Sequence, residues 1–208
     1  MAMKTKDLGT LKALLEPLLN LTAHCTPNKV DFCKVEGVLD FLISKLKAAT
    51  LPPPTSSSST SSSSTSTSST TTSNHHLNST ELAIVENSGG ILRNIASYLV
   101  SQEELSEQLR ARNLVAVLLD QLKCSPSLAI VGNACITLSY LVTRSSKDAI
   151  KVKELGGIQV LHGLTSSKHE PIKLGASKIL QHLYATHLAN HSASFKGDLV
   201  IFYFTCCF

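Results

Sequence analysis

The 208-residue chain contains no tryptophan, and aromatic residues make up only 5% of it. No stretch reaches the roughly 18 consecutive apolar residues that a membrane-spanning helix needs. The first ten residues, MAMKTKDLGT, lack the apolar core of a secretory signal. Six cysteines occur without a CxxC pair or a zinc-like spacing. These absences favour a cytoplasmic chain whose cysteines are buried free thiols.

Sequence patterns of catalysis are also missing. The chain has no GxSxG, no phosphate-binding loop and no HExxH. His182, His187 and His191 have a spacing that could place metal ligands on one helical face, but histidines near a helix C-terminus are usually surface residues. We therefore expect no catalytic residues, no cofactor and no metal. The alternative, an enzyme with a helical-repeat fold, would need clustered His, Asp and Glu.

The charge balance is mildly basic. Nineteen Lys and Arg oppose fifteen Asp and Glu, which gives a net charge of +4. This favours acidic partners, but it is not the concentrated basic stripe of a nucleic-acid-binding protein.

A low-complexity segment interrupts the chain. Positions 55–73 are all Ser or Thr. Such a tract has no apolar surface to bury, so we predict a disordered insertion over 51–80. The alternative is a regulatory segment whose phosphorylation changes binding.

The rest of the chain repeats itself. KVEGVLDFLISKL, RARNLVAVLLDQL and KELGGIQVLHGL each carry a Gly or Asn break that fits a left-handed helix cap, followed by a short apolar helix. A longer helix follows each one, and residues 8–25 read as one more long helix. Aligned long helices place Asn20, Asn94, Tyr140 and His182 in equivalent positions. The spacings of 46 (140 − 94) and 42 (182 − 140) residues are typical of armadillo or HEAT repeats.

The predicted fold is all-α: a fragment of a right-handed armadillo solenoid of three to four units, with one short and one long helix in each. Residues 8–50 form partial repeats, 81–188 form further repeats, and 189–208 form a divergent apolar tail. Because the first unit begins at its long helix, we expect an exposed apolar end. The chain would then be a piece of a longer protein, an unusual isoform, or capped by something else.

A repeated asparagine on the long helices suggests a function. Its side-chain amide carries both a donor and an acceptor, so it can hold the backbone of an extended peptide in the concave groove. The alternative is that these asparagines are merely solvated. Nearby cations could add positive charge to the same surface. The predicted groove residues are Asn20, Arg93, Asn94, Asn133, Tyr140, Arg144, Lys178 and His182.

Three segments carry a resemblance to a known family. NLTAHCTPNK, ENSGGILRN and the SSKH that follows a repeat helix resemble the C-terminal armadillo repeats of the adenomatous polyposis coli family. The resemblance covers about residues 10–187 and implies a scaffold in negative regulation of Wnt/β-catenin signalling, in the cytoskeleton and in cell migration. It also implies a cytoplasmic location, associated with the cytoskeleton or the membrane cortex.

The resemblance also implies partners. The family's groove binds extended peptides of a Rho-family exchange factor, a kinesin-associated protein and a membrane-recruiting adaptor. Regions of the family that bind β-catenin and microtubules lie outside this chain. Three departures are expected to weaken or alter peptide binding: Ser139-Tyr140 replaces Trp-Asn, His182 replaces Asn, and Leu19 replaces Trp. The alternatives are a generic armadillo adaptor with another partner, or a fragment without independent function.

Overall fold

The computed structural model describes residues 7–50, 77–98, 102–125 and 127–194, and every regular element in these ranges is an α-helix. The helices are α1 Leu8–His24, α2 Thr26–Lys34, α3 Val38–Ala48, α4 Ser79–Ala96, α5 Glu103–Ala111, α6 Leu114–Cys124, α7 Leu128–Arg144, α8 Ser146–Glu154, α9 Gly157–Leu164 and α10 Glu170–Ser194.

The repeat unit contains three helices, so the predicted unit of one short and one long helix was wrong. The units are α2–α4, α5–α7 and α8–α10, and α1 precedes them as a further long helix. Each unit opens with a nine-residue helix that buries few apolar side chains: α5 buries only Leu105 and Leu109. These helices are largely polar, and nine residues are fewer than the roughly 11–18-residue window over which a helical period is read from a sequence.

The breaks predicted as left-handed caps are confirmed. Gly37, Asn113 and Gly156 have φ values of 76°, 54° and 70°, and each joins the first helix of a unit to the second. Gly reaches this conformation without steric cost, and Asn is among the residues that tolerate it best. A residue in the left-handed conformation therefore links the first and second helices in all three units.

The four long helices lie side by side in chain order. α1 packs against α4, α4 against α7, and α7 against α10, while the shorter helices pack behind them. One continuous apolar core runs through all units, because each unit buries its apolar side chains against its neighbours. Its fully buried members include Leu15, Leu42, Ile91, Leu118 and Leu138.

A capping box defines the start of α4. The side-chain oxygen of Asn78 accepts hydrogen bonds from the backbone N–H of Thr80 and Glu81, and the Glu81 carboxylate accepts from the N–H of Asn78 at 2.9 Å. The helix begins at Ser79, so the last two residues of the predicted 51–80 insertion are helical. Residues 51–76 lie outside the described residues.

An ion-pair cluster joins α5 to α8. Arg110 donates to the Ser145 hydroxyl at 3.1 Å and to the Asp148 carboxylate at 3.3 Å, and it also pairs with Glu103 and Glu107. Burial raises the pKa of Asp148, whose side chain is 3% exposed. The hydrogen bond from Arg110, assisted by Lys147, lowers the pKa of Glu107 to about 2. One guanidinium therefore connects two consecutive units.

The cysteines only partly match the expectation of buried free thiols. Four are free in the described residues, but Cys135 alone is buried, Cys25 and Cys33 are half-buried and Cys124 is exposed. Burial raises the thiol pKa of Cys33 to about 11 and that of Cys135 to about 12. Both therefore stay protonated and unreactive at neutral pH. Cys206 and Cys207 lie outside the described residues.

The two ends of the solenoid also bear on the predictions. On α1, Leu14 and Leu21 are 46% and 54% exposed, as expected for a first long helix. At the other end α10 continues to Ser194, so the helix crosses the predicted boundary at 189. Residues 195–208 of the predicted tail lie outside the described residues.

Candidate functional site

The layer of long helices presents one face away from the shorter helices. We call it the long-helix face, and define it by Arg93 of α4, the α7 residues Asn133, Ile136, Tyr140 and Arg144, and Leu174, Lys178 and His182 of α10. The α7 members recur at three- and four-residue intervals, which places them along one side of the helix. All eight are half-buried or exposed, in contrast to the buried residues between them.

Asn94 lies between α4 and α1 and is only 7% exposed. Its side-chain nitrogen donates to the Leu19 carbonyl at 3.1 Å and to the Thr22 hydroxyl at 3.2 Å. Thr22 is itself buried and donates to the Leu18 carbonyl. The amide N–H groups of Asn94 therefore hold two long helices together, and a peptide carbonyl would have to displace one of these bonds.

Asn133 makes the corresponding link between α7 and α4. Its amide nitrogen donates to the Glu86 carbonyl at 3.2 Å, and its amide oxygen accepts from Arg93 at 2.9 Å. The side chain is half-buried. This arrangement positions the Arg93 guanidinium on the long-helix face.

Close approach of the helices accompanies these links. A Cβ atom on Gly90 would lie 2.6 Å from a methyl group of Leu19, and one on Gly175 would lie 3.2 Å from the Cβ of Cys135. Leu19 therefore packs in the contact between α1 and α4, which is where the tryptophan expected from the resemblance would have to fit.

Tyr140 and Lys178 form a second pair, between α7 and α10. The Lys178 ammonium lies 5.9 Å from the centre of the Tyr140 ring, within reach of a cation–π interaction. A pocket of about 420 Å³ opens beside them. It is lined by Ile136, Ser139, Tyr140, Glu170, Pro171, Leu174, Gly175 and Lys178.

The remaining predicted residues, Asn20, Arg144 and His182, reach the surface to different degrees. Asn20 is exposed on α1, next to the Leu19 whose carbonyl Asn94 holds. Arg144 is exposed in the last turn of α7, and His182 is half-buried on α10. The structure thus brings together Arg93 with Asn133 and Tyr140 with Lys178, and it leaves the other predicted side chains separate.

The long-helix face carries positive charge that is not neutralised by the fold. Among the described residues, no carboxylate lies within 4 Å of the side-chain nitrogens of Arg93, Arg144 or Lys178. By contrast, Lys173 is paired with Glu170 at 3.5 Å. Three cations on one surface favour an anionic ligand.

A larger hollow of about 540 Å³ lies elsewhere, between α2, the turn after it, and α5. Several polar groups of its lining already have partners within the protein: Gln102 donates to the Tyr98 hydroxyl, and Arg112 donates two hydrogen bonds to Asp40 outside the hollow. Size alone therefore does not make this hollow the functional site.

Metal sites and membrane-spanning helices are two further features that bear on function. No group of three or more His, Cys, Asp and Glu side chains there is placed to hold a metal ion. His187 and His191 of the predicted histidine series have side chains outside the described set. In the same part of the chain, no helix combines the length and apolar character needed to cross a membrane.

Known proteins match the chain in sequence. It is 38% identical over 195 residues, 94% of its length, to the adenomatous polyposis coli homolog of Xenopus laevis and to the adenomatous polyposis coli protein of Homo sapiens. It is 37% identical over 190 residues to the human adenomatous polyposis coli protein 2. The chain is an armadillo-repeat relative of the adenomatous polyposis coli proteins. It spans only 6% to 7% of the length of these relatives, and no family model matches it.

Solved structures support the same fold. A designed armadillo repeat protein superposes with a TM-score of 0.62 at 17% identity, covering 86% of this chain and 60% of that one. A second, one of the armadillo proteins computationally designed for modular peptide recognition, gives 0.60 at 15% identity over the same shares. The predicted all-α armadillo solenoid is therefore confirmed.

Against its adenomatous polyposis coli relatives, the chain places unexpected residues at the face. Where the resemblance predicts Trp-Asn, Ser139 is 4% exposed and donates to the Ile136 carbonyl, while the neighbouring Tyr140 reaches the surface. The sequence could not show that Asn94 points into the fold, because its partners Leu19 and Thr22 come from a helix about 70 residues earlier. At the same aligned position, one unit therefore has the buried amide of Asn94 and the next has the phenol of Tyr140, which reaches the surface.

Proposed function

We propose that the chain is a non-enzymatic scaffold module that holds extended, acidic peptide segments of partner proteins on its long-helix face. The observation that carries this proposal is the set of three cations along neighbouring long helices, Arg93, Arg144 and Lys178, that have no carboxylate partner in the described part of the chain. Arg93 and Arg144 offer planar guanidinium groups, which suit carboxylates especially well. One of the two designed armadillo proteins described above is named for modular peptide recognition.

The side chains divide into two roles in this proposal. On the long-helix face Arg93, Tyr140, Arg144, Lys178 and His182 contact the peptide, and Asn20 of α1 extends the contact to the first long helix. Asn94 and Asn133 support the face without contacting the peptide, because their amides hydrogen-bond each long helix to the one before it. Peptide binding thus depends on the asparagines through the spacing of the helices.

The resemblance extends the proposal to the cell. We propose a cytoplasmic scaffold acting in negative regulation of Wnt/β-catenin signalling and in the cytoskeleton or cell cortex. Its partners would be peptides of a Rho-family exchange factor, a kinesin-associated protein and a membrane-recruiting adaptor. β-Catenin and microtubules would be reached only through regions of the relatives that this chain does not contain.

Charge selectivity tests the proposal. Fluorescein-labelled twelve-residue peptide pools, one with glutamate and one with lysine at every third position and otherwise identical, are titrated with the chain. We expect the acidic pool to bind, with an affinity that falls as salt rises. Arg144→Glu should weaken binding about fivefold. Lys47→Glu, an exposed change on α3 away from the long-helix face, is the matched control and should leave binding unchanged.

Two results would contradict the proposal. Equal binding of acidic and basic pools would show that the three cations do not select the ligand. Equal affinity of the Arg144→Glu variant and the native chain, with the Lys47→Glu control unchanged, would place any peptide binding on another surface.

A further inference from the structure

The pocket between α7 and α10 has a composition that differs from the rest of the long-helix face. We propose that it receives one large apolar side chain of the bound peptide, and that this residue is flanked in the peptide by Asp or Glu. This inference rests on the proposed function, and it names the side chains that the last unit selects.

The pocket walls are suited to an apolar side chain. Leu174 is 59% exposed there, and the Tyr140 ring and the half-buried Ile136 of α7 line the same pocket from the other helix. A leucine or phenylalanine entering the pocket would remove apolar surface from water on both partners. At about 420 Å³ the pocket falls in the range of roughly 300–1,000 Å³ typical of ligand clefts.

The base of the pocket is closed by the close approach of the two helices. Gly175 has no side chain, and an added Cβ would meet the Cβ and sulfur of Cys135 at 3.2 and 3.3 Å. Cys135 also donates from its sulfur to the Ile172 carbonyl at 3.6 Å. The pocket is thus a depression with a packed base, rather than a gap that a small shift of α10 would close.

The edge of the pocket favours a carboxylate. Lys178 stands beside the Tyr140 ring and has no carboxylate partner among the described residues. Glu170, the anion on the opposite edge, is paired with Lys173 at 3.5 Å. The uncompensated charge at this edge is therefore positive, and an acidic residue next to the inserted side chain would reach it.

Tyr140 changes what this unit can recognise. The equivalent residue in the preceding unit is Asn94, whose amide is used inside the protein. Tyr140 offers a ring to the pocket and a hydroxyl that makes no hydrogen bond in the described part of the chain. A phenol cannot hold a peptide N–H and C=O together as an amide does. Selection in this unit therefore falls on a side chain of the peptide.

Three defined probes test the proposal on the full chain. Each is a fluorescein-labelled twelve-residue peptide of Gly, Ser and Glu with a different central pair: Leu-Glu, Ser-Glu or Leu-Lys. By fluorescence anisotropy we expect the Leu-Glu probe to bind about tenfold more tightly than Ser-Glu. We expect it to bind about fivefold more tightly than Leu-Lys.

Variants then assign these preferences to the pocket. Leu174→Ser should remove most of the preference for Leu-Glu over Ser-Glu. Lys178→Glu should reverse the preference between Leu-Glu and Leu-Lys. The matched controls are Ile150→Ser, a similarly exposed apolar residue at 54% on α8, and Lys47→Glu; both should keep the native preferences.

The outcomes separate the two proposals. If acidic peptides bind but Leu-Glu and Ser-Glu bind equally, the pocket proposal is wrong and the acidic-peptide function stands. The same holds if Leu174→Ser has no more effect than Ile150→Ser. If neither these probes nor the acidic pool bind, both proposals fail together.

Discussion

At the scale of single residues, two glycines of α9 have opposite surroundings. A Cβ atom on Gly157 would lie 2.9 Å from the Val152 carbonyl oxygen and 2.6 Å from a Val152 methyl group. A Cβ on Gly163 would meet nothing within 4 Å. We expect Gly157→Ala to destabilise the chain by about 1–3 kcal/mol, because a backbone atom cannot move aside cheaply. Gly163→Ala should stabilise it by a few tenths to about 1 kcal/mol.

Urea denaturation followed by circular dichroism measures both free energies of unfolding. The two changes add the same methyl group to the same helix, so each is the control for the other. A stabilising effect of Gly157→Ala would mean that α8 and α9 are less closely packed than described.

The two asparagines of the aligned register are expected to behave differently. Asn94→Ala removes the two hydrogen bonds by which this side chain joins α4 to α1, which should cost about 1–3 kcal/mol. Asn20 is exposed, so Asn20→Ala should change stability by less than about 0.5 kcal/mol. Thermal unfolding of both variants decides this. Equal melting temperatures would argue against a structural role for Asn94.

At the scale of elements, Arg110 connects α5 to α8. Arg110→Met leaves the Asp148 carboxylate buried without its cation, and this should cost about 3–5 kcal/mol at pH 7. The folded pKa of Asp148 is raised, so the stability linked to its protonation is present below the unfolded pKa and lost as pH rises through the folded pKa. The stability deficit of Arg110→Met should therefore be largest at neutral pH and shrink toward pH 4.

Glu107 also makes the stability deficit of Arg110→Met smaller at low pH. Its pKa is lowered in the native chain, so its contribution is present above the unfolded pKa and lost as pH falls toward about 2. Acid therefore also removes part of what the native chain gains from Arg110. Denaturation curves at pH 4 and pH 7 measure the difference, and Asp148→Asn in the Arg110→Met background should restore part of the stability at pH 7. A deficit independent of pH would refute this account.

The contrast between turns and polar contacts shows which elements the sequence could predict. Gly37, Asn113 and Gly156 were predicted because their conformation depends on the residue itself. The direction of the Asn94 side chain and the pairing of Arg110 with Asp148 depend on residues 38 to 75 positions away. The nine-residue helices are missed for another reason, since each is shorter than the window over which a helical period is read from a sequence. Local chemistry was therefore predictable and contacts between units were not.

At the scale of the whole molecule, each long helix packs chiefly against its neighbours in the row, among the helices that the structure describes. α7 packs between α4 and α10, whereas α10 has one long-helix neighbour in the described part of the chain. In such a linear array stability is close to a sum over units and their interfaces. We expect amide hydrogen exchange to be slowest in α7 and faster in α1 and α10.

A core substitution at one end should show whether the effect of a mutation stays local to the units next to it. Leu15 is fully buried in α1, so Leu15→Ala should speed exchange in α1 and α4 while leaving α9 and α10 unchanged, as measured by mass spectrometry of peptic fragments. Acceleration of all helices to the same degree would show that the chain unfolds as one cooperative unit.

The contact between α3 and α4 has a practical consequence. α3 ends at Ala48 and α4 begins at Ser79, yet the two helices pack together, so the fold requires only that this connection can close. The entropy of closing a loop changes by only about 0.6 kcal/mol for each doubling of its length. This junction is therefore a natural position for a genetically inserted reporter, such as a fluorescent protein or an affinity tag.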